Sequence, residues 1–280
     1  MNTATLNDNI KDFYDRSTDL WLDVWGEHMH HGYYGADGTA KANHQQAQID
    51  LLNQLLSWGE VNKANNILDA GCGVGGSARF LAQKFDANVT GVTLSPIQAR
   101  RAQRYNEKAN LVDSVDVRVQ DMMTLRNEAQ RFDLVWSLES AEHIPPKREL
   151  LQLFYDLLQP DGKLLMVTWC TRAPVEELSA SEQQLLKKIE RNYHLPPMIP
   201  MASYKAMAQE IGYQNVQTDD WTAAVAPFWQ AVIRSALSWS SVKGLLKAGL
   251  PTLKGAWTMR YMREGYQRGL LKFALLQGDK

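Results

Sequence analysis

The sequence predicts an α/β fold, a mostly parallel sheet with helices on both faces. Three observations carry this. Short β-branched runs alternate with helical patterns through the middle of the 280-residue chain, the signature of βαβ units. The first of those runs ends in Asp69-Ala70-Gly71-Cys72-Gly73-Val74-Gly75-Gly76, a glycine turn that opens a helix. At 45% hydrophobic and 22% charged residues, the composition is that of a globular chain with one large core.

The elements follow in order. Residues 45–58 form an amphipathic helix with Ile49, Leu52, Leu55 and Leu56 on one stripe. Strands are predicted over 66–70, 88–94, 114–119, 132–137 and 163–170, with helices over 77–85, 96–109 and 147–158 between them. Beyond them, helices at 181–193 and 204–212 flank a Pro-rich break, and a strand follows at 214–221. Residues 225–268 read as helical with breaks near 249–251, and 270–276 as a last short strand. Four segments result: an N-terminal helical cap and aromatic lid (1–64), the ligand-binding core (65–221), a helical insertion (222–268) and a return to the core (269–280).

Charge and cysteine usage exclude several functions. With 30 basic and 31 acidic residues the net charge is −1, too little to drive binding to nucleic acid by phosphate neutralisation. The charge is unevenly spread: residues 1–64 carry −5, 65–221 carry −3 and 222–280 carry +7. Such a split points to a partner at the basic end. The two cysteines, Cys72 and Cys170, make neither a disulfide framework nor a zinc site, which suits a reducing compartment. No run approaches the roughly 20 apolar residues that cross a bilayer, and the first sixteen residues lack the apolar stretch of a secretory leader. The expectation is a soluble or membrane-peripheral cytoplasmic protein.

Formally Gly71, Gly73 and Gly76 spell the dinucleotide fingerprint, but Asp69 at the strand tip would repel a pyrophosphate, and the second strand ends in Thr93 where a ribose-binding acid is usual. A cationic ligand suits Asp69 better. S-adenosylmethionine, with a sulfonium and an ammonium, fits an acid followed by glycines that admit close backbone approach. Ligands of such sheets lie across the carboxyl edge, so the next strand ends supply further candidates. Thr93, Ser95 and Gln98 are placed for the ribose hydroxyls, although Ser95, Pro96 and Gln98 also make a good helix start. Asp121 offers a carboxylate to the adenine amino group and Met122 a thioether to its ring.

The fourth strand leads through Ser137 and Leu138 into Glu139-Ser140-Ala141-Glu142-His143, the loop expected to face the reacting group. Glu139, Glu142 and His143 are the candidate proton-handling residues; alternatively Glu142 and His143 only hold the loop in shape. Residues 25–35 carry His28, His30 and His31, but no carboxylate or cysteine at a suitable spacing completes a metal site, so no metal is expected. Tyr33 and Tyr34 are expected to close as a lid over the methionine end of the cofactor.

WGEHMHHGYYG (25–35), ILDAGCGVGGSA (67–78), GVTLSPIQ (91–98), VWSLESAEH (135–143), TWC (168–170), DWTAAVAPFW (220–229) and YQRGLLKFALL (266–276) together resemble the γ-tocopherol methyltransferases of cyanobacteria and plants. The glycine loop is common to class I methyltransferases, whereas the first and sixth segments are far more specific. The TLSxxQ and Glu-His elements are also similar to those of cyclopropane-forming and coclaurine-type methyltransferases. The resemblance implies a seven-stranded class I methyltransferase fold whose last strand is antiparallel. It also implies methyl transfer from S-adenosylmethionine to a lipophilic phenol. The same scaffold serves N- or O-methylation of other aromatic metabolites, such as an indole amine; a cofactor-binding module without chemistry would not need an intact Glu-His loop. A phytyl-bearing acceptor stays in lipid. The aromatic residues Phe228, Trp229, Trp239, Trp257 and Tyr261, interspersed with Lys243, Lys247, Lys254, Arg260 and Arg263, are accordingly expected to meet a membrane surface, although a Trp-rich cap over an apolar pocket would carry the same pattern.

Overall fold

The computed structural model of the chain describes residues 6–12, 14, 15, 18, 22, 26–231 and 259–280. Residues 232–258 of the predicted insertion, with Lys243, Lys247, Lys254, Trp239 and Trp257, lie outside the described residues.

Seven strands form one sheet in the order β3-β2-β1-β4-β5-β7-β6. They are β1 Asn66–Ala70, β2 Asn88–Thr93, β3 Val115–Val119, β4 Phe132–Leu138, β5 Leu158–Thr171, β6 Gln214–Asp220 and β7 Leu271–Asp279. The first five pair in parallel, and β7 lies antiparallel between β5 and β6, the antiparallel last strand that the resemblance implies. Alternation along the buried strands feeds two apolar layers: Ile67 and Val89 join one, Leu68, Ala70 and Val92 the other. The helix His44–Trp58 buries Leu51, Leu52, Leu55 and Leu56, and its N-cap Asn43 accepts a bond from Gln46 N–H.

Among the boundaries that differ from the sequence reading, β7 runs three residues further than expected, to Asp279, which pairs with Lys163 and Gln214, and two others have local reasons. β5 begins at Leu158 because that residue pairs with Phe132 ahead of a register shift in β4. The helix Met201–Ile211 starts three residues early, directly after Pro200, whose extended backbone makes the N-cap.

Candidate active site

Strand order reverses between β1 and β4, and at that point a cleft opens over the carboxyl ends of β1 to β4. Asp69, Gly71, Gly73, Thr93, Ser95, Gln98, Asp121, Met122, Leu138, Glu139 and His143 all line it.

The glycine turn is shaped by close approach. Gly71 has φ +90°, and a Cβ there would overlap the Ser140 side chain. The Ser140 hydroxyl donates to Ala70 O at 2.5 Å, which ties the β4 loop across the tip of β1. Gly73, at φ +55°, leaves its edge of the cleft open. Asp69 is 2% exposed, and its Oδ2 has no partner. Burial pushes its carboxyl up to about 7, against the backbone N–H of Ala78 and the charge of Arg79. An orphaned acidic oxygen beside a glycine cradle is the complement of a cation, so these residues fit S-adenosylmethionine.

At the end of β2, the Thr93 hydroxyl donates to Gln98 Oε1 at 2.7 Å, and the Ser95 hydroxyl caps the helix Pro96–Ala109 by accepting from Gln98 N–H. Gln98 Nε2 has only a weak 3.8 Å contact with Met29 Sδ, which leaves it free to turn to a hydroxyl. At the end of β3, Asp121 accepts from Met123 N–H and, through Oδ2, from Asn7 Nδ2 at 2.7 Å.

Asn7 belongs to an N-terminal stretch that laces the cleft. Asp15 accepts from the Ser95 hydroxyl, and the Tyr14 hydroxyl bonds His143 Nε2 at 3.1 Å. Burial, with the charges of Glu142 and Glu139, raises the Tyr14 phenol well above its usual range. Met29, His28 and His30 also line the cleft. Their segment is anchored by Gln48 Nε2, which donates to His28 O and His30 O, and by the Arg79–Glu27 ion pair at 2.8 Å.

The β4 loop brings three buried titratable groups together, Glu139, Glu142 and His143. Glu139 has a left-handed backbone, φ 52°, that turns its carboxylate inward. Its oxygens accept from His31 N–H and His31 Nδ1, each at 2.7 Å, and from Trp169 Nε1 at 3.2 Å. Burial alone would raise this carboxyl, but His31 holds it below the ordinary carboxylate range. Glu142 is the opposite case: burial and the neighbouring Glu139 charge push it up to about 8. Burial, helped by Lys147, pushes the His143 imidazole down to about 3, so it is neutral at physiological pH. Lys147 Nζ donates to Ala141 O and Glu142 O, both at 2.8 Å, and so braces the turn.

Four residues expected at the site lie outside the cleft lining. Tyr33 is not in the cleft: its ring packs 5.2 Å from that of Trp221, and its N–H bonds Ala47 O. Tyr34 is equally withdrawn into the core, 3% exposed, so Met29 and the histidines occupy the place expected of an aromatic lid. Ser137 stands behind the lining, bonding the Ser140 hydroxyl at 2.9 Å, because alternation along β4 turns it inward. Glu142 is likewise off the cleft wall, facing β5, where Thr168 Oγ1 donates to it at 3.1 Å. Among the described residues no cluster of three metal-ligating side chains occurs, and no helix is long and apolar enough to cross a membrane. Sequence reasoning missed Asn7, Tyr14 and Asp15, which come from an N-terminal stretch with no motif, and gave no role to Met29 and Thr168, although both lie in segments that carry the resemblance. It met His31 only as a discarded metal ligand.

The mycolic acid cyclopropane synthetase family matches residues 2–226. A probable chloroplastic tocopherol O-methyltransferase of Oryza sativa is 40% identical over 97% of this chain and 77% of its own. The chloroplastic tocopherol O-methyltransferase of Arabidopsis thaliana is 38% identical over 99% and 83%. A cyclopropane synthase structure from Mycobacterium tuberculosis superposes with a TM-score of 0.84 at 16% identity, covering 98% of both chains, which bears on the fold alone. Since the similarity runs nearly end to end and takes in both the cleft and its distant partners, the chain belongs to the tocopherol O-methyltransferase family of class I S-adenosylmethionine-dependent methyltransferases.

Proposed function

We propose that the protein methylates an aromatic ring carbon of γ-tocopherol, or of a related prenylated phenol, to give α-tocopherol or its counterpart. The observation that carries this reading is the near-full-length identity of 38–40% to proteins named for tocopherol methylation, joined to an intact cleft and an intact Glu-His loop. S-adenosylmethionine supplies an electrophilic methyl group. Asp69 and the turn at Gly71 and Gly73 would hold its methionine end, Thr93 and Gln98 its ribose, and Asp121 with Met122 its adenine. Glu139, His143 and Tyr14 line the cleft at the reacting end, with Glu142 buried behind His143 against β5. In-line attack makes positioning worth several kcal/mol, up to about 7–11 in well-oriented intramolecular reactions. The displaced ring proton has the Glu142–His143 loop to receive it. His143 is a weak acceptor, whereas Glu142 is a strong one once ionised.

The test is turnover with radiolabelled methyl donor against γ-tocopherol, a methyl-phytyl quinol and an indole amine. The reading requires methylation of the tocopherol with a product that keeps its free phenol; labelling of the oxygen or of the amine alone would overturn it. The amine arm matters because norajmaline N-methyltransferase of Rauvolfia serpentina is 27% identical over 95% of this chain and 96% of its own. A membrane surface is the partner we propose for residues 222–268, on their net positive charge and aromatic content.

A further inference from the structure

Three buried polar atoms without partners gather in one aromatic cluster behind the cleft: Nε2 of His31, Nε1 of Trp229 and the hydroxyl of Tyr266. The Trp229 and Tyr266 rings lie 5.1 and 5.9 Å from the His31 ring, and those of Phe228 and Phe273 at 4.7 and 5.2 Å. His31 and Trp229 are 2% exposed and Tyr266 7%. Buried polar atoms are nearly always paired, because leaving one bare in an apolar setting is costly. Three in one cluster call for a polar group from outside.

The kind of group follows from the donors and acceptors. An ionised Glu139 can only accept, so Nδ1 of His31 carries the hydrogen and Nε2 is left as an acceptor. Trp229 offers a donor, and Tyr266 either role. A hydroxyl can donate to Nε2, accept from Trp229 and meet Tyr266 in either role, and one carried on an aromatic ring would offer its flat faces to the surrounding rings. A carboxylate would set two acceptors against each other at Nε2, and an ammonium would leave the Trp229 donor unpaired. The location suits the chemistry: Glu139 lines the cofactor cleft on one side and holds His31 on the other.

We infer that His31, oriented by Glu139, binds the phenolic hydroxyl of the methyl acceptor and holds its proton during transfer, with Trp229 and Tyr266 completing the hydroxyl's bonds. This rests on the acceptor being a phenol. The hydroxyl proton passes to Nε2, and the Glu139 carboxylate stabilises the imidazolium. The electron pair thus released into the ring forms the new carbon–carbon bond as the donor's carbon–sulfur bond breaks, its electrons staying on sulfur. The ring carbon then gives its own proton to the Glu142–His143 loop, and the oxygen regains the proton held by His31. One proton is released per methyl transferred. Glu139 acts through His31 and is a positioning residue.

The experiment measures binding of the chromanol head group without its phytyl tail, and of the methyl ether of that head group, by tryptophan fluorescence with saturating S-adenosylhomocysteine. Wild type should bind the phenol about tenfold or more tighter than the ether, since a site built to bond a hydroxyl rejects the analogue lacking its proton. His31→Phe should bind both alike and lose about 10²–10⁴ in kcat, the share of a positioned acid or base, with S-adenosylhomocysteine affinity unchanged. Glu139→Gln should lower kcat while the phenol Kd moves by less than about threefold, a split that loss of packing would not give. His31→Gln keeps a polar side chain should the phenylalanine variant not fold. Equal binding of phenol and ether by wild type, or undiminished discrimination in the folded His31 variants, overturns the inference alone if the chromanol is turned over. Methylation of the indole amine and not of the chromanol overturns the acceptor reading as well.

Discussion

Asp69→Asn isolates the charge under the cofactor. Burial raises the Asp69 carboxyl from 3.8 to about 7 in the free protein, and a difference of that size corresponds to about 4 kcal/mol in favour of the neutral acid. A bound cation favours the ionised form, so ligand binding must draw the pKa back down. Below about pH 7 the free protein carries the proton and releases it on binding; affinity for S-adenosylhomocysteine, which keeps the ammonium, should therefore fall up to about tenfold per pH unit on acidification and level off above pH 7. The amide that replaces the carboxyl cannot ionise. The variant should lose this pH dependence and bind about tenfold to a hundredfold more weakly at pH 8, the worth of one charge-assisted bond of about 1.5–3 kcal/mol. The free fold responds in the opposite sense. A carboxyl whose folded pKa is raised contributes stability that is present below the unfolded value and lost as pH rises through the folded one, here between 3.8 and about 7. At pH 8 the ligand-free variant should accordingly melt a few degrees higher, roughly. Calorimetric titration at pH 6, 7 and 8 reads the affinity, and thermal melts the stability. Unchanged Kd in the variant, or a wild-type Kd flat across this range, refutes the assignment of Asp69 to the cation.

If Glu142 receives the ring proton, wild-type kcat should rise between pH 7 and 9 as the carboxyl, held near about 8 by burial and Glu139, ionises. Glu142→Gln should abolish the rise and about 10²–10⁴ of kcat, which separates it from Lys147, also near about 8. His143→Ala should cost a similar factor with little change in cofactor Kd; near-normal kcat in both variants would leave positioning as the whole of catalysis. Gly71→Ala should abolish cofactor binding and lower Tm, because its methyl would overlap the Ser140 side chain at a left-handed backbone angle; a stable, ligand-competent alanine variant would mean that the β4 loop is free to move. On vesicles, binding should grow with anionic lipid and shrink with salt, and Lys243→Glu with Lys247→Glu should weaken it while sparing turnover of detergent-solubilised substrate; equal, negligible sedimentation with neutral and anionic vesicles would reduce the basic segment to a pocket wall.

Legibility from the sequence followed the range of the forces involved. Strands such as Asn66–Ala70 were readable because β-branched runs buried on both faces need no knowledge of their partners, and the turn at Gly71 because its backbone is demanded locally. The cofactor strand ends followed from the topology of the sheet. Tyr33 and Ser137 were misplaced because an irregular segment has no period to say which side chain turns inward, and because a strand-end serine can bond its own loop. Nothing local announces that Asn7 meets Asp121, Asp15 meets Ser95 or Tyr14 meets His143, contacts spanning 114, 80 and 129 residues. The pairing of His31 with Glu139 across 108 residues was invisible for the same reason.

The seat of β7 between β5 and β6 has a consequence for biosynthesis. During translation β1 to β5 can assemble as they leave the ribosome, but β6 pairs only with β7, whose residues are made more than fifty positions later. Until then β5 presents an open edge and β6 has no neighbour, with the aromatic, basic stretch 222–268 newly made beside them. The nascent chain is thus most prone to aggregation just before β7 emerges, and a holdase chaperone that covers the β5 edge should raise the yield of folded enzyme more than slower synthesis of the segments that precede β5.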